Sequence, residues 1–176
     1  MKYCTPIVLL LLFISCNNQK STNLNVVKKK EAINNVLNTW HKDAATTNYK
    51  GYFDAMDKDF VFLGTEAGEH WNKKEFEKFS KPFFDRGKAW NFTPLKRNIY
   101  FQKDNKIAWF DELLDTWMGV CRGSGVLIRY KNSWKIKHYV LSLTIPNANI
   151  DEVIKVNKEK DSILIKKLKR SFNGSY

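Results

Sequence analysis

Residues 106–146, KIAWFDELLDTWMGVCRGSGVLIRYKNSWKIKHYVLSLTIP, decide how this chain folds. They hold three strand-like runs, 107–116, 121–130 and 134–145, separated by two short turn signals and ended by Pro146. Successive side chains on a strand point to opposite faces, so Trp134, Ile136, His138, Val140 and Ser142 share one face. Trp134 and Ile136 mark that face as the buried one. A three-residue hairpin at Lys131-Asn132-Ser133 sets Tyr130 opposite Trp134 and Ile128 opposite Ile136. Val126 then faces His138, Ser124 faces Val140, and Arg122 faces Ser142, which leaves Cys121, Leu127 and Arg129 on the outer face. A two-residue turn would bring Arg129 inward and Tyr130 outward, the less apolar solution.

On the preceding run, a tight turn near Met118-Gly119 brings Asp111 beside Val126 and Asp115 beside Arg122. Trp109, Asp111, Leu113 and Asp115 then point inward. A slip of one residue would substitute Glu112 for Asp111, because register decides which face every side chain takes.

Upstream, apolar positions at Val26, Ile33, Val36, Leu37, Trp40 and Ala44 form one helical stripe. Tyr49, Tyr52, Phe53 and Met56 repeat it on a shorter helix that Gly51 weakens. Residues 60–63 read as a buried strand and residues 65–71 as a loop. Asn72 and Glu75 form a capping box for a third helix with Phe76, Phe79 and Phe83 on its face, Pro82 kinking or ending it and Gly87 beyond. Trp90, Phe92, Ile99 and Phe101 alternate as a further strand. Helix, helix, strand, helix and four antiparallel strands make an α+β layout, three helices on one face of a curved sheet.

The chain has 176 residues, enough for one well-cored domain. Aromatic residues make up 14%, with six Trp and twelve Phe, which excludes a disordered chain and favours a core or pocket of flat side chains. Residues 1–15 carry a basic Lys2 and an apolar run from Ile7 to Ile14, too short to span a bilayer. The sequence Phe13-Ile14-Ser15-Cys16 resembles the lipobox of bacterial lipoproteins, with Phe13 where Leu is usual. That resemblance implies cleavage before Cys16, its acylation, and a membrane-anchored protein of the bacterial cell envelope; an ordinary secretory signal is the alternative. Residues 16–25 then form a polar tether, 26–147 the domain, and 148–176 a basic tail with an amphipathic segment at 162–172. Only Cys121 remains in the folded body, so no internal disulfide forms. The net charge of +12 suits anionic lipid or glycan, or a solvated surface; no nucleic-acid-binding signature is present.

Element order, Ala108-Trp109, Arg122-Gly123-Ser124-Gly125, and the alternating Trp134, Ile136, His138 and Ser142 together resemble the SnoaL-like branch of the nuclear-transport-factor-2-like superfamily. The resemblance implies a cone with one deep pocket between helices and sheet, and homodimers through the outer sheet face. Its members include isomerases, cyclases, dehydratases and non-catalytic binders, and the fold does not choose among them.

The candidate catalytic set is Asp111, His138 and Arg122: a desolvated carboxylate suited to proton abstraction, beside a histidine and a group for an anionic substrate. Tyr52, Trp71, Phe83, Trp109, Val126 and Ser142 are the candidate pocket walls, and Cys16 the lipidation site. The blander alternative makes Asp115 and Arg122 an ion pair and His138 a core residue. Glu66, Glu69 and His70 share a loop and are read as solvent-facing, so no metal is expected. No cofactor is expected either, since Gly123-Ser124-Gly125 sits within a strand as relief for close packing or a bulge. The leading expectation is a lipid-anchored domain binding a small, partly apolar ligand. A cofactor-independent isomerase, cyclase or dehydratase and a dimeric interaction module with a vestigial pocket are the alternatives.

Overall fold

Neither proline nor glycine occurs in residues 12–45, and they form one continuous helix, α1 (Leu12–Ala45). The computed structural model describes residues 12–131 and 133–173, with side chains over 24–131 and 133–172. The residues read as a tether are therefore helical from Cys16 onward, since nothing in their composition breaks a helix. The signal segment lies largely outside the described residues, as does the side chain of Cys16. Ile33, Leu37, Trp40, His41 and Ala44 form the buried stripe of α1, and His41 is the member that a purely apolar pattern overlooks. Among the described residues, no helix is long and apolar enough to cross a membrane.

A short helix, α2 (Tyr49–Asp54), follows, capped by Asn48, whose side chain accepts from the Gly51 amide at 3.2 Å. A Cβ at Gly51 would fall 2.4 Å from Asn48 Nδ2 and 2.5 Å from Asp43 Oδ2, so those side chains would have to shift. Strand β1 (Met56–Leu63) starts four residues earlier than expected, and β2 (His70–Asn72) occupies what read as a loop. The capping box of α3 (Lys73–Asp85) forms as read: Glu75 N donates to Asn72 Oδ1 at 3.1 Å, and Asn72 N to Glu75 Oε2 at 2.9 Å. Pro82 stays inside the helix, and Gly87, at φ 69°, follows its end.

Strands β3 (Thr93–Phe101), β4 (Ile107–Thr116), β5 (Gly119–Tyr130) and β6 (Ser133–Leu143) run in antiparallel succession. The six-stranded order is β2-β1-β6-β5-β4-β3, with β1 parallel to β6. The core lies between the inner face of this sheet and the three helices.

The register of β5 and β6 overturns the expected faces. The turn is the two-residue one: Tyr130 pairs with Ser133, Arg129 with Trp134 and Leu127 with Ile136. One extra residue, Lys137, then shifts the ladder, and Val126 pairs with His138, Ser124 with Val140 and Arg122 with Ser142. Those last three pairs are the expected ones, but they sit on the outer face. Trp134 and Ile136 are buried before the bulge, and Tyr139 and Leu141 after it. Strict alternation assumes an uninterrupted ladder, and the inserted residue inverts the remainder of the strand. The two-residue turn, by pairing Leu127 with the inward Ile136, turns Leu127 and Cys121 inward along unbulged β5, and through the β4–β5 ladder it buries Ala108, Phe110, Glu112, Leu114 and Thr116 of β4.

The chain divides into two units at Leu143 and Thr144. The second contains a short 3-10 turn (Asn147–Asn149) and α4 (Ile150–Asn173), which includes the amphipathic segment read from the sequence.

Candidate functional site

Aromatic side chains from α1, α2, β1, β2 and α3 enclose a cavity of about 800 Å³. The rings pack on one another: Trp40 stacks on Tyr52 at 5.0 Å, Phe62 on Phe76 at 4.2 Å, and Trp71 on Phe79 at 4.5 Å. Tyr139 meets Trp40 edge-on at 4.8 Å, and Leu141 lines the cavity beside it. Trp117, from the β4–β5 turn, also lines it while remaining 81% exposed. Glu69, Arg86 and Lys88 supply its charged lining, with the Arg86 guanidinium 4.4 Å from the Phe83 ring centre.

Three of the six proposed wall residues, Tyr52, Trp71 and Phe83, line this cavity. Trp109, Val126 and Ser142 do not, and neither do Asp111, His138 and Arg122: the two-residue turn register places those of β4 and β5 on the outer face, and the bulge does so for His138 and Ser142. Trp109 stacks there on Tyr100 at 5.9 Å, and Asp111 accepts from Asn98 Nδ2 at 2.9 Å. Arg122 and Ser142 are exposed neighbours on β5 and β6. His138 is half-buried beside Val61 of β1, and burial, with a smaller contribution from His70, lowers its pKa. The nominated acid, base and cation are therefore not brought together around a ligand site.

The inward carboxylate is Glu112, the one-residue alternative, and it is 1% exposed. His41 Nε2 lies 2.8 Å from Oε1, and the Tyr139 hydroxyl donates to the same oxygen at 3.0 Å. Arg97 donates from Nε to Oε2 at 2.8 Å, with Nη2 2.7 Å away. Nη1 of Arg97 reaches Asn34 Oδ1 at 3.0 Å and Asn38 Oδ1 at 2.9 Å, tying β3 to α1. Burial pushes the Glu112 carboxyl up, but the hydrogen bond and charge of His41 and the Arg97 guanidinium outweigh it and hold its pKa below the usual value. Burial, reinforced by the Glu112 charge, raises the Tyr139 hydroxyl well above the usual range, so it remains a donor.

With Glu112 ionised, His41 Nε2 must carry the proton that bonds it. His41 and Tyr139 line the cavity, whereas Glu112 and Arg97 stand behind them. Trp40 Nε1 is buried without a hydrogen-bond partner among the described residues, on a side chain that also lines the cavity. Two inner-face glycines make the floor possible: a Cβ at Gly123 would lie 2.3 Å from the Tyr139 oxygen, and one at Gly125 2.4 Å from the His138 carbonyl oxygen. Cys121 is fully buried with Thr116 Oγ1 at 3.5 Å. No group of potential metal ligands occurs among the described residues, and Glu69 instead accepts from the Glu66 amide at 3.2 Å.

The sequence model of the SnoaL-like domain family matches residues 33–146. No curated protein matches the chain. A domain of unknown function with a cystatin-like fold from Nostoc punctiforme superposes with a TM-score of 0.59 at 13% identity, over 84% of this chain and 98% of its own. An NTF2-like protein of unknown function from Pseudomonas putida gives 0.57 at 12% identity, over 69% and 90%. An NTF2-like protein from Cytophaga hutchinsonii gives 0.56 at 13% identity, over 65% and 98%. A helix-walled cavity on a curved sheet and a family match over most of the domain agree: this chain belongs to the SnoaL-like domain family and has the NTF2-like fold.

Proposed function

We propose that this protein is a lipid-anchored binding domain that holds a small, flat, largely apolar ligand in its aromatic cavity. The observation that carries this reading is an open cavity of about 800 Å³, within the size range of small-molecule sites, walled by stacked rings. Glu112 stands behind the cavity lining with both oxygens engaged, which favours binding over proton abstraction by it. A plugged pocket, as an interaction module with a vestigial site would have, is not what the rings form.

A thermal-shift screen of diverse aromatic and polycyclic metabolites tests the reading. At least one compound should stabilise the protein, and Trp71→Ala should weaken it by about tenfold, as loss of a large aromatic contact does. Arg122→Ala and His138→Ala, on the outer face, should leave affinity unchanged. If no compound stabilises the wild type, or if the outer-face variants alone abolish binding, the reading fails.

A second reading rests on the His41–Glu112 pair. A cavity-lining histidine with one nitrogen fixed by a buried carboxylate is a candidate acid–base group, and it replaces Asp111 and His138 in the enzymatic alternative. Turnover of a compound found by the screen, lost in His41→Gln with affinity retained, would establish it.

The anchor, and with it a location in the bacterial cell envelope, is proposed from the short apolar run and Phe13-Ile14-Ser15-Cys16. Two acyl signals give stable attachment where one does not. Metabolic labelling with a fatty-acid probe should mark the wild type and not Cys16→Ala; equal labelling of both removes the anchor from the proposal.

A further inference from the structure

Helix α4 (Ile150–Asn173) is divided by charge. Its first half mixes Asp151, Glu152, Glu159 and Asp161 with Lys155, Lys158 and Lys160, which is close to balance. From Ser162 onward there is no acidic residue, and Lys166, Lys167, Lys169 and Arg170 follow within five positions. At about 100° per residue, Leu164, Ile165, Leu168 and Phe172 fall within one arc of about 100°, and the four cations cover the opposite side. Upstream the same arc carries Ile150 and Ile154 but is interrupted by Asn157 and Asp161, so the unbroken apolar stripe belongs to the distal half. Ile165 and Leu168 are each about half exposed, and the segment is about 16 Å long, three turns of helix.

We propose that residues 162–172 form a surface helix that docks on anionic phospholipid bilayers, independently of the cavity. Charge complementarity selects the partner. A cationic collar around an apolar arc, with no acid to offset it, lets lysine and arginine heads meet lipid phosphates while leucine and isoleucine enter the acyl boundary. Each basic residue near an anionic surface contributes enough that four together dominate binding. A soluble polyanion would engage the cations but offer the apolar arc nothing. The function is a second membrane contact, in addition to the lipid proposed at Cys16.

The test is amide hydrogen exchange of residues 162–172 in the full chain, on vesicles of phosphatidylcholine with and without phosphatidylglycerol. Because lipid compositions are compared in one protein, acylation at Cys16 does not confound the result. Exchange should slow at least about tenfold on the phosphatidylglycerol vesicles alone. High salt should reverse the effect, and neutralising Lys166, Lys167, Lys169 and Arg170 to Gln, or Leu168→Ser, should abolish it. Protection present before vesicles are added would show that the arc packs on protein and would overturn the proposal. Equal protection on both vesicle types, or on heparin, would do the same. The salt series on unmodified protein decides the matter even if a variant frays.

Discussion

Replacing Glu112 by alanine is expected to cost about 3–5 kcal/mol, the loss seen when one partner of a buried ion pair is removed. The thermal midpoint should fall by roughly 10 °C or more. The removed atoms matter less than what they leave behind. Arg97 would be a nearly buried guanidinium with only the two asparagines of α1 for company. His41 and Tyr139 would lose the acceptor that orders the cavity floor. Glu112→Gln should fall between wild type and alanine, since it preserves volume and an acceptor oxygen but not the charge.

The acid limb of the stability curve supplies a second readout. The folded pKa of Glu112 lies below its unfolded value, so its contribution is present above the unfolded pKa of about 4.3 and lost as pH falls through the folded one. Glu112→Ala should therefore be less steeply destabilised across that window than the wild type. Denaturant unfolding of both proteins at neutral and acid pH measures the two effects together. A variant within about 1 kcal/mol of wild type at neutral pH would place the network among dispensable surface pairs instead.

The second large effect belongs to Gly125→Ala. The new Cβ would sit 2.4 Å from the His138 carbonyl oxygen and 2.8 Å from Phe110 Cε1. A backbone oxygen beside a bulge cannot swing aside as a side chain can, so the ladder itself must move. The cost should reach about 3 kcal/mol, the upper end for overpacking. Gly123→Ala meets the Tyr139 hydroxyl instead, which can give only by weakening its bond to Glu112, and it should cost less. Gly68→Ala meets nothing within 4 Å and serves as the neutral control. Chemical denaturation of the three alanine variants checks the ranking; near-equal costs would mean that close approach at Gly125 is not what constrains it.

Sequence periodicity carried the architecture because helical stripes and strand alternation are local. The α1 stripe, the α3 capping box and four successive antiparallel strands all follow from spacing alone. Of the cavity-lining aromatics, Tyr52 and Phe83 sit on helical stripes that spacing reveals, whereas Trp71 lies in what read as a loop. What escaped were features fixed between distant segments. The three residues of β2 gain strand character only by pairing with β1. His41 looks polar in isolation, and its burial depends on a carboxylate seventy-one positions away. Arg97 carries no local sign that two asparagines of α1 and Glu112 will collect around it. The choice between Asp111 and Glu112 turned on the register at the β5–β6 turn, where Tyr130 pairs with Ser133, and the choice between His138 and Tyr139 on a bulge whose only sequence trace is polar Lys137.

That single additional residue also governs how the strand is compared across relatives. Even-numbered positions are sheltered through Ile136, and odd-numbered ones from Tyr139 onward. Substitutions of equal parity on either side of Lys137 are therefore filtered by opposite pressures, solvent on one side and packing on the other. An alignment that places its gap a few columns away would match cavity floor to outer surface while still pairing every aliphatic with an aliphatic. At the low identities typical of this fold, the position of one inserted residue decides which ancestral side chains are counted as equivalent.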